Sequence, residues 1–176
     1  ALPQFEDVEG HQTIWKTSLD GEELTEVSAD STLYVEYHKI TYALTYVVDG
    51  EVYATDSIEY GAAITPIAEP TKEGYTFSGW SEVPETMPAS DVTISGTYTV
   101  NVYNVYYYVG DELVHTAEVA YGEAIPEYVY EPTTEGDEFL GWIGDTYETM
   151  PAHDVTYTAN IESDVLQLTI DNSQLT

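Results

Sequence analysis

The chain has 176 residues, a hydrophobic content of 43% that includes 17 tyrosines, and 33 acidic residues against 3 lysines and no arginine, for a formal net charge of -30. Such a field repels phosphate backbones and anionic headgroups and so argues against nucleic-acid and membrane-surface partners, while the apolar content argues against a disordered acidic tail. Cysteine is absent, which removes disulfides, thiol nucleophiles and thiolate metal sites, and no apolar stretch approaches the length of a membrane span.

In chain order, the first clear strand pattern is residues 42–48, where Tyr42, Leu44, Tyr46 and Val48 alternate on one face. Asp49-Gly50 follows, a dipeptide suited to a two-residue type I' hairpin because both positions tolerate positive φ. A second strand runs to Tyr60 and ends at Gly61. The connector that follows holds Pro66 and Pro70, which disfavour a long helix. Then "GYTFSGW" sets Phe77 and Trp80 among Gly74 and Gly79, a pattern that predicts aromatic core anchors beside a tightly bent backbone. "ETMPASDVT" at 85–93 predicts a proline-stiffened, extended entry to a closing strand that carries Val92, Ile94 and Tyr98.

The pattern then begins again. Residues 103–121 pair without a gap with 42–60, so that Tyr103, Val105, Tyr107 and Val109 reproduce the first face. Gly110-Asp111 replaces Asp49-Gly50, and a leading glycine serves a type II' turn. "GDEFLGW" repeats the aromatic element with Gly136, Phe139, Gly141 and Trp142, and "ETMPAHDVT" stands at 148–156. The period of about sixty residues suits a small domain in an array better than a helical solenoid. Asp91 and Asp154 are expected to cap or turn the chain before the closing strand.

The opening hairpin, the Tyr-Gly pair, "PTKEGYTFSGW" and the closing Val-Thr strand together resemble the internalin B-type repeat, also called the Listeria-Bacteroides repeat, over roughly residues 40–161. A weaker likeness extends upstream through 9–37, with Trp15 near the expected tryptophan, a hairpin at Asp20-Gly21, and Leu33, Val35 and Tyr37 in the place of the closing strand. The resemblance implies mostly-β, β-grasp-like units without a long helix, in an elongated tandem array. The expected division is a partial repeat at 1–39, full repeats at 40–100 and 101–161, and the start of a following segment at 162–176. It further implies a bacterial cell-surface or secreted location.

Candidate chemistry is sparse. His11, His38, His115 and His153 lack metal-ligand spacing, and no phosphate-binding glycine loop, serine elbow or zinc motif occurs. No catalytic residue, metal ligand or cofactor is expected. The role expected is a non-catalytic stalk, spacer or adhesin segment, monomeric and not inserted in a membrane. The alternative is a module that binds a glycan or protein ligand on a cell surface through Tyr106 and Tyr108, which lie opposite the inferred core face where the first repeat has Thr45 and Val47. Exposed tyrosines stack on sugar rings, although sheet tyrosines more often simply cover the sheet.

Overall fold

A computed structural model describes residues 7–18, 20–26 and 32–163. Most of residues 1–39 and the repeats fall within that range, whereas the segment expected to begin at 162 lies outside the described residues beyond Ser163. The described residues contain no helix. Their contacts define two compact units, the first drawn from Ala1–Thr71 and Phe77–Thr99, the second from Lys72–Thr76 and Val100–Thr176.

In unit 1, β1 (His11–Lys16) pairs antiparallel with β2 (Tyr34–Lys39). In place of a two-residue hairpin at Asp20-Gly21, Gly21 N–H closes a turn on Ser18 O, and beyond it Leu24 N–H donates to Trp15 O and Lys16 meets Glu23 in an isolated bridge. β2 supplies the partner strand for β1 instead. After Ile40 the first full repeat opens with β3 (Thr41–Val48), which pairs antiparallel with β4 (Glu51–Glu59). The short β5 (Tyr75–Phe77) pairs with β7 (Tyr98–Val100). β6 (Val92–Gly96) lies parallel to β3, giving a sheet ordered β4-β3-β6.

The second repeat is built alike. β8 (Val102–Val109) pairs antiparallel with β9 (Glu112–Ala120) and parallel with β11 (Val155–Ser163), and β10 (Asp137–Gly144) pairs antiparallel with β11. The resulting sheet is ordered β10-β11-β8-β9. A parallel pair ordinarily needs a helical crossover. Here a proline-bearing connector makes the crossing in both repeats.

Both hairpins are two residues long, closing between Val48 and Glu51 and between Val109 and Glu112. Asp49 and Gly50 have φ of 52° and 89°, as a type I' turn requires, whereas in the second hairpin the positive φ, of 60°, falls on the leading Gly110. One feature breaks strict alternation. Each hairpin carries a bulge at the same place, which makes Tyr53 the extra residue opposite Tyr46/Val47 and Val114 the extra residue opposite Tyr107/Tyr108. A bulge re-aims the side chains beside it, so Tyr53 reaches Trp80 and Val114 joins the core.

The cores are small. Leu44, Tyr46, Ile64, Met87 and Ile94 are buried in the first repeat; Val105, Tyr107, Val119, Met150 and Val155 in the second. Phe77 and Trp80 flank the first core rather than fill it, and Met87 and Met150, each 1% exposed, occupy the centres where aromatic anchors were expected. A tryptophan indole would leave its N–H unpaired at such a centre, whereas the unbranched thioether has no donor to satisfy.

The duplicated Glu-Thr-Met-Pro-Ala string is thus explained. Met87 N–H donates to Ala62 O and Gly61 N–H to Met87 O; Met150 N–H donates to Glu123 O and Gly122 N–H to Met150 O. Each methionine therefore both plugs a core and closes a short ladder on the turn that follows the hairpin.

Candidate functional site

Trp80 and Trp142 position the connector of each repeat. The Trp80 indole N–H donates to Ile67 O at 3.2 Å, and that of Trp142 to Tyr128 O at 2.6 Å, so each ring lies under its connector with its polar edge satisfied. Phe77 meets Trp80 edge-on at 4.9 Å, and Phe139 meets Trp142 edge-on at 5.1 Å. In the two Gly-aromatic-Gly-Trp elements the aromatics pack and the glycines, Gly74 and Gly79 in one and Gly136 and Gly141 in the other, all take positive φ.

Around that shared frame the second repeat adds aromatic rings. The first core packs Ile67 and Ile94 at the places where the second has Tyr128 and Tyr157, while Trp80 itself meets Tyr46 at 4.9 Å and Tyr53 at 6.1 Å. His115 stacks on Tyr128 with centroids 4.2 Å apart and planes 16° apart; Ala54 occupies the matching position of the first hairpin. Tyr107 meets Trp142 edge-on at 4.8 Å and stacks on Tyr157 at 5.4 Å. Half-buried Tyr128, Trp142, Tyr147 and Tyr157 border an open cleft of about 170 Å³, with Glu127 at its rim. In the first repeat a cleft of about 230 Å³ lies over the hairpin instead, lined by Leu44, Tyr46, Ala54, Ile58 and Ile67 with Asp56, and it shares with the other only the positions of Tyr46, Thr65 and Ile67. Burial first, and the neighbouring Tyr157 second, push the Tyr107 phenol above its ordinary range. Its hydroxyl donates to Pro126 O at 3.1 Å.

Tyr106 and Tyr108 lie elsewhere. They alternate along β8 with buried Val105 and Tyr107 and therefore face away from the core, both half-buried. Cross-strand neighbours form two rows on that outer face: Ile143, Thr158, Tyr108 and Leu113, then Thr156, Tyr106 and Thr116. None of these side chains is charged, on a chain of net charge -30. The structure does not bring Tyr106 and Tyr108 together with the aromatic cleft, which is on the opposite face of the same sheet. Tyr128 and Tyr147 belong to no motif, and their signal in the sequence is the exchange of aliphatic residues or proline for aromatic ones between aligned repeats.

Charge chemistry is thin. Glu36 is held below its ordinary carboxylate range by a hydrogen bond from Lys16, at 2.9 Å, and by His38. Among the described residues no group of three or more His, Asp or Glu side chains is arranged to hold a metal ion. No described helix is long and apolar enough to cross a membrane.

A profile of the Listeria-Bacteroides repeat domain matches residues 42–102 and again 103–165. The chain belongs to the Listeria-Bacteroides repeat family. Among similar proteins, Internalin H of Listeria monocytogenes is 34% identical over 57% of this chain and 20% of its own length. A putative membrane protein of Evansella cellulosilytica is 30% identical over 72% of this chain and 21% of its own, and a putative Gly-rich membrane protein of the same organism 31% identical over 67% and 15%. The chain therefore spans about a fifth or less of the length of these relatives. In this Listeria-Bacteroides repeat chain the hairpin, tryptophan and methionine are common to both full repeats, and the second has Tyr128 and Tyr157 where the first has Ile67 and Ile94.

Proposed function

We propose that this chain is a non-catalytic repeat region of a bacterial cell-surface protein, a spacer that holds an adhesive or receptor-binding part of that protein away from the cell, and that it acts as a monomer. One observation carries the reading: the residues common to both repeats have folding roles. The aspartates tie strands, the methionines plug cores, the tryptophans pin connectors and the glycines make turns. A duplicated catalytic or binding function would be expected to duplicate a polar constellation, and the clefts described in the two repeats lie at different places. The names of the relatives, an internalin and two membrane proteins, support a surface location.

The test is reach. Bacteria displaying a terminal tag through this chain, with 1, 2 or 4 copies of the repeat pair in roughly equal display density, should show tag access to a bulky antibody that rises with copy number. Access independent of copy number would contradict the spacer reading.

A second reading has an observation of its own, the aromatic cleft of the second repeat. Sugar rings stack on tyrosine and tryptophan faces while a carboxylate such as Glu127 accepts hydroxyl hydrogen bonds. Tyr106 and Tyr108, whose directly paired cross-strand neighbours carry no charge, offer a second aromatic surface for a glycan or protein. A glycan array probed with the intact chain and with Trp142→Phe, Tyr147→Ala and Tyr106→Ala/Tyr108→Ala variants tests it. Binding lost on Tyr147→Ala alone locates the site in the cleft, binding lost on the double variant alone locates it on the outer face, and no binding contradicts a glycan site.

A further inference from the structure

Three times in the chain a Glu-Gly dipeptide closes a turn and launches a strand: Glu9-Gly10 before β1, Glu73-Gly74 before β5 and Glu135-Gly136 before β10. The turns are built alike. His11 N–H donates to Val8 O, Tyr75 N–H to Lys72 O and Asp137 N–H to Thr134 O, at 3.0 to 3.2 Å, and the glycines have φ of 68°, 73° and 91°.

The first two glycines are buried, each beneath a tyrosine. Within unit 1, a Cβ on Gly10 would overlap the ring of Tyr60; within unit 2, a Cβ on Gly74 would overlap the ring of Tyr121. The backbone repeats the fit. Ile40 N–H donates to Gly10 O at 2.8 Å and Tyr60 N–H to Ile40 O at 2.9 Å; Asn101 N–H donates to Gly74 O and Tyr121 N–H to Asn101 O, both at 2.9 Å. Even the edge contact recurs, His11 against Tyr60 at 5.7 Å and Tyr75 against Tyr121 at 5.9 Å. In both cases the tyrosine is that of a Tyr-Gly pair in the repeat that follows the glycine.

Gly136 has the same turn and the same sign of φ, but it is exposed. Beyond Ser163 the sequence continues in register, with Leu168-Thr169-Ile170 standing where Leu44-Thr45-Tyr46 stand, and residues 164–176 contain no aromatic residue to cover the turn. We propose that the Glu-Gly turn is the coupling seat of this repeat, and that the exposed turn at Gly136 receives the tyrosine of a Tyr-Gly pair from one further repeat of the same kind, joined in register after Ser163. Only glycine serves there, because the φ is left-handed and the ring occupies the place of a side chain. Asp137 replaces the aromatic edge of His11 and Tyr75, so the third seat holds the ring by the bare glycine and the backbone bonds alone.

The test is amide hydrogen exchange on two proteins: the full chain, and residues 1–163 followed by a second copy of 101–163. Asparagine is the informative substitution, since it accepts left-handed φ while adding a Cβ. In the full chain, Gly74→Asn is expected to speed exchange of the Tyr121 amide by about tenfold or more, whereas Gly136→Asn leaves exchange throughout within about twofold. In the extended chain, Gly136→Asn is expected to speed exchange at the added copy's counterpart of Tyr121 by about tenfold, and replacing that tyrosine by phenylalanine, which keeps the ring, preserves protection. The proposal is overturned if that tyrosine exchanges at the same rate with or without Gly136→Asn, if it is unprotected although Gly136 is intact, or if Gly74→Asn leaves Tyr121 unchanged.

Discussion

The Asp91 carboxylate accepts a hydrogen bond from the Ala43 backbone N–H at 2.8 Å, joining residues at the starts of the two parallel strands of the first repeat. Asp154 does the same for Asn104 at 2.8 Å. Each aspartate thus caps a neighbouring strand rather than its own turn. Asp91→Ala and Asp154→Ala are each expected to lower stability by about 1 kcal/mol, the worth of one exposed charge-assisted bond, with Asn retaining part of it. Urea unfolding of the variants measures the loss, and a neutral Asp91→Ala would show that the strand pair needs no such tie.

Met87 and Met150 test the placement of the two cores. Truncation to alanine should cost about 2–5 kcal/mol at either site, whereas leucine should cost less than about 1.5 kcal/mol because volume is kept. The same urea curves, followed by Trp fluorescence, check it. Alanine tolerated without loss would mean that the duplicated string is only a turn.

How far the fold could be read from the sequence is clear at particular residues. The Tyr42-to-Val48 face, both two-residue turns and the glycine-tryptophan element follow from alternation and φ preference, which are local properties, and the duplication supplied an internal comparison. Parallel pairing of β3 with β6 joins residues some fifty positions apart, and no local rule encodes it. The bulges at Tyr53 and Val114 were invisible for a related reason: an inserted residue leaves the alternation on either side intact. Methionine, flexible and without a strong positional signature, did not mark itself as the core centre. Tyr106 and Tyr108 could be placed on the outer face from the period of two, whereas the cleft of Tyr128, Trp142, Tyr147 and Tyr157 draws on four separate segments that only the fold brings together.

Tyr46 and Tyr107 hold equivalent places, each 2% exposed, but differ in their hydroxyls. That of Tyr107 donates to Pro126 O, whereas that of Tyr46 is buried with no hydrogen-bond partner among the described residues. Tyr107→Phe should cost about 1 kcal/mol, and Tyr46→Phe should be neutral or stabilising, because it removes an unsatisfied polar group. Thermal unfolding of the two variants decides between this asymmetry and equal losses.

Alkaline pH tests the burial of Tyr107. The Tyr107 pKa is raised from 10.0 chiefly by burial, so the folded state favours the neutral phenol. That contribution is fully present below the unfolded-state pKa and is lost as pH rises through the folded value. Stability between about pH 9 and 11 should therefore fall less steeply in Tyr107→Phe than in the parent. Identical slopes in the two proteins would contradict the assignment.

The central claim is that the repeats space rather than bind, and interchange tests it most directly. In the full-length surface protein, residues 103–163 are replaced by a second copy of 42–100, which removes the aromatic cleft together with Tyr106 and Tyr108 and keeps the repeat number. Attachment of the displaying bacteria to their target surface is then counted under flow. The spacer account predicts attachment equal to that of the parent. Attachment lost on this exchange, with the protein still displayed and folded, would contradict it and assign binding to the second repeat.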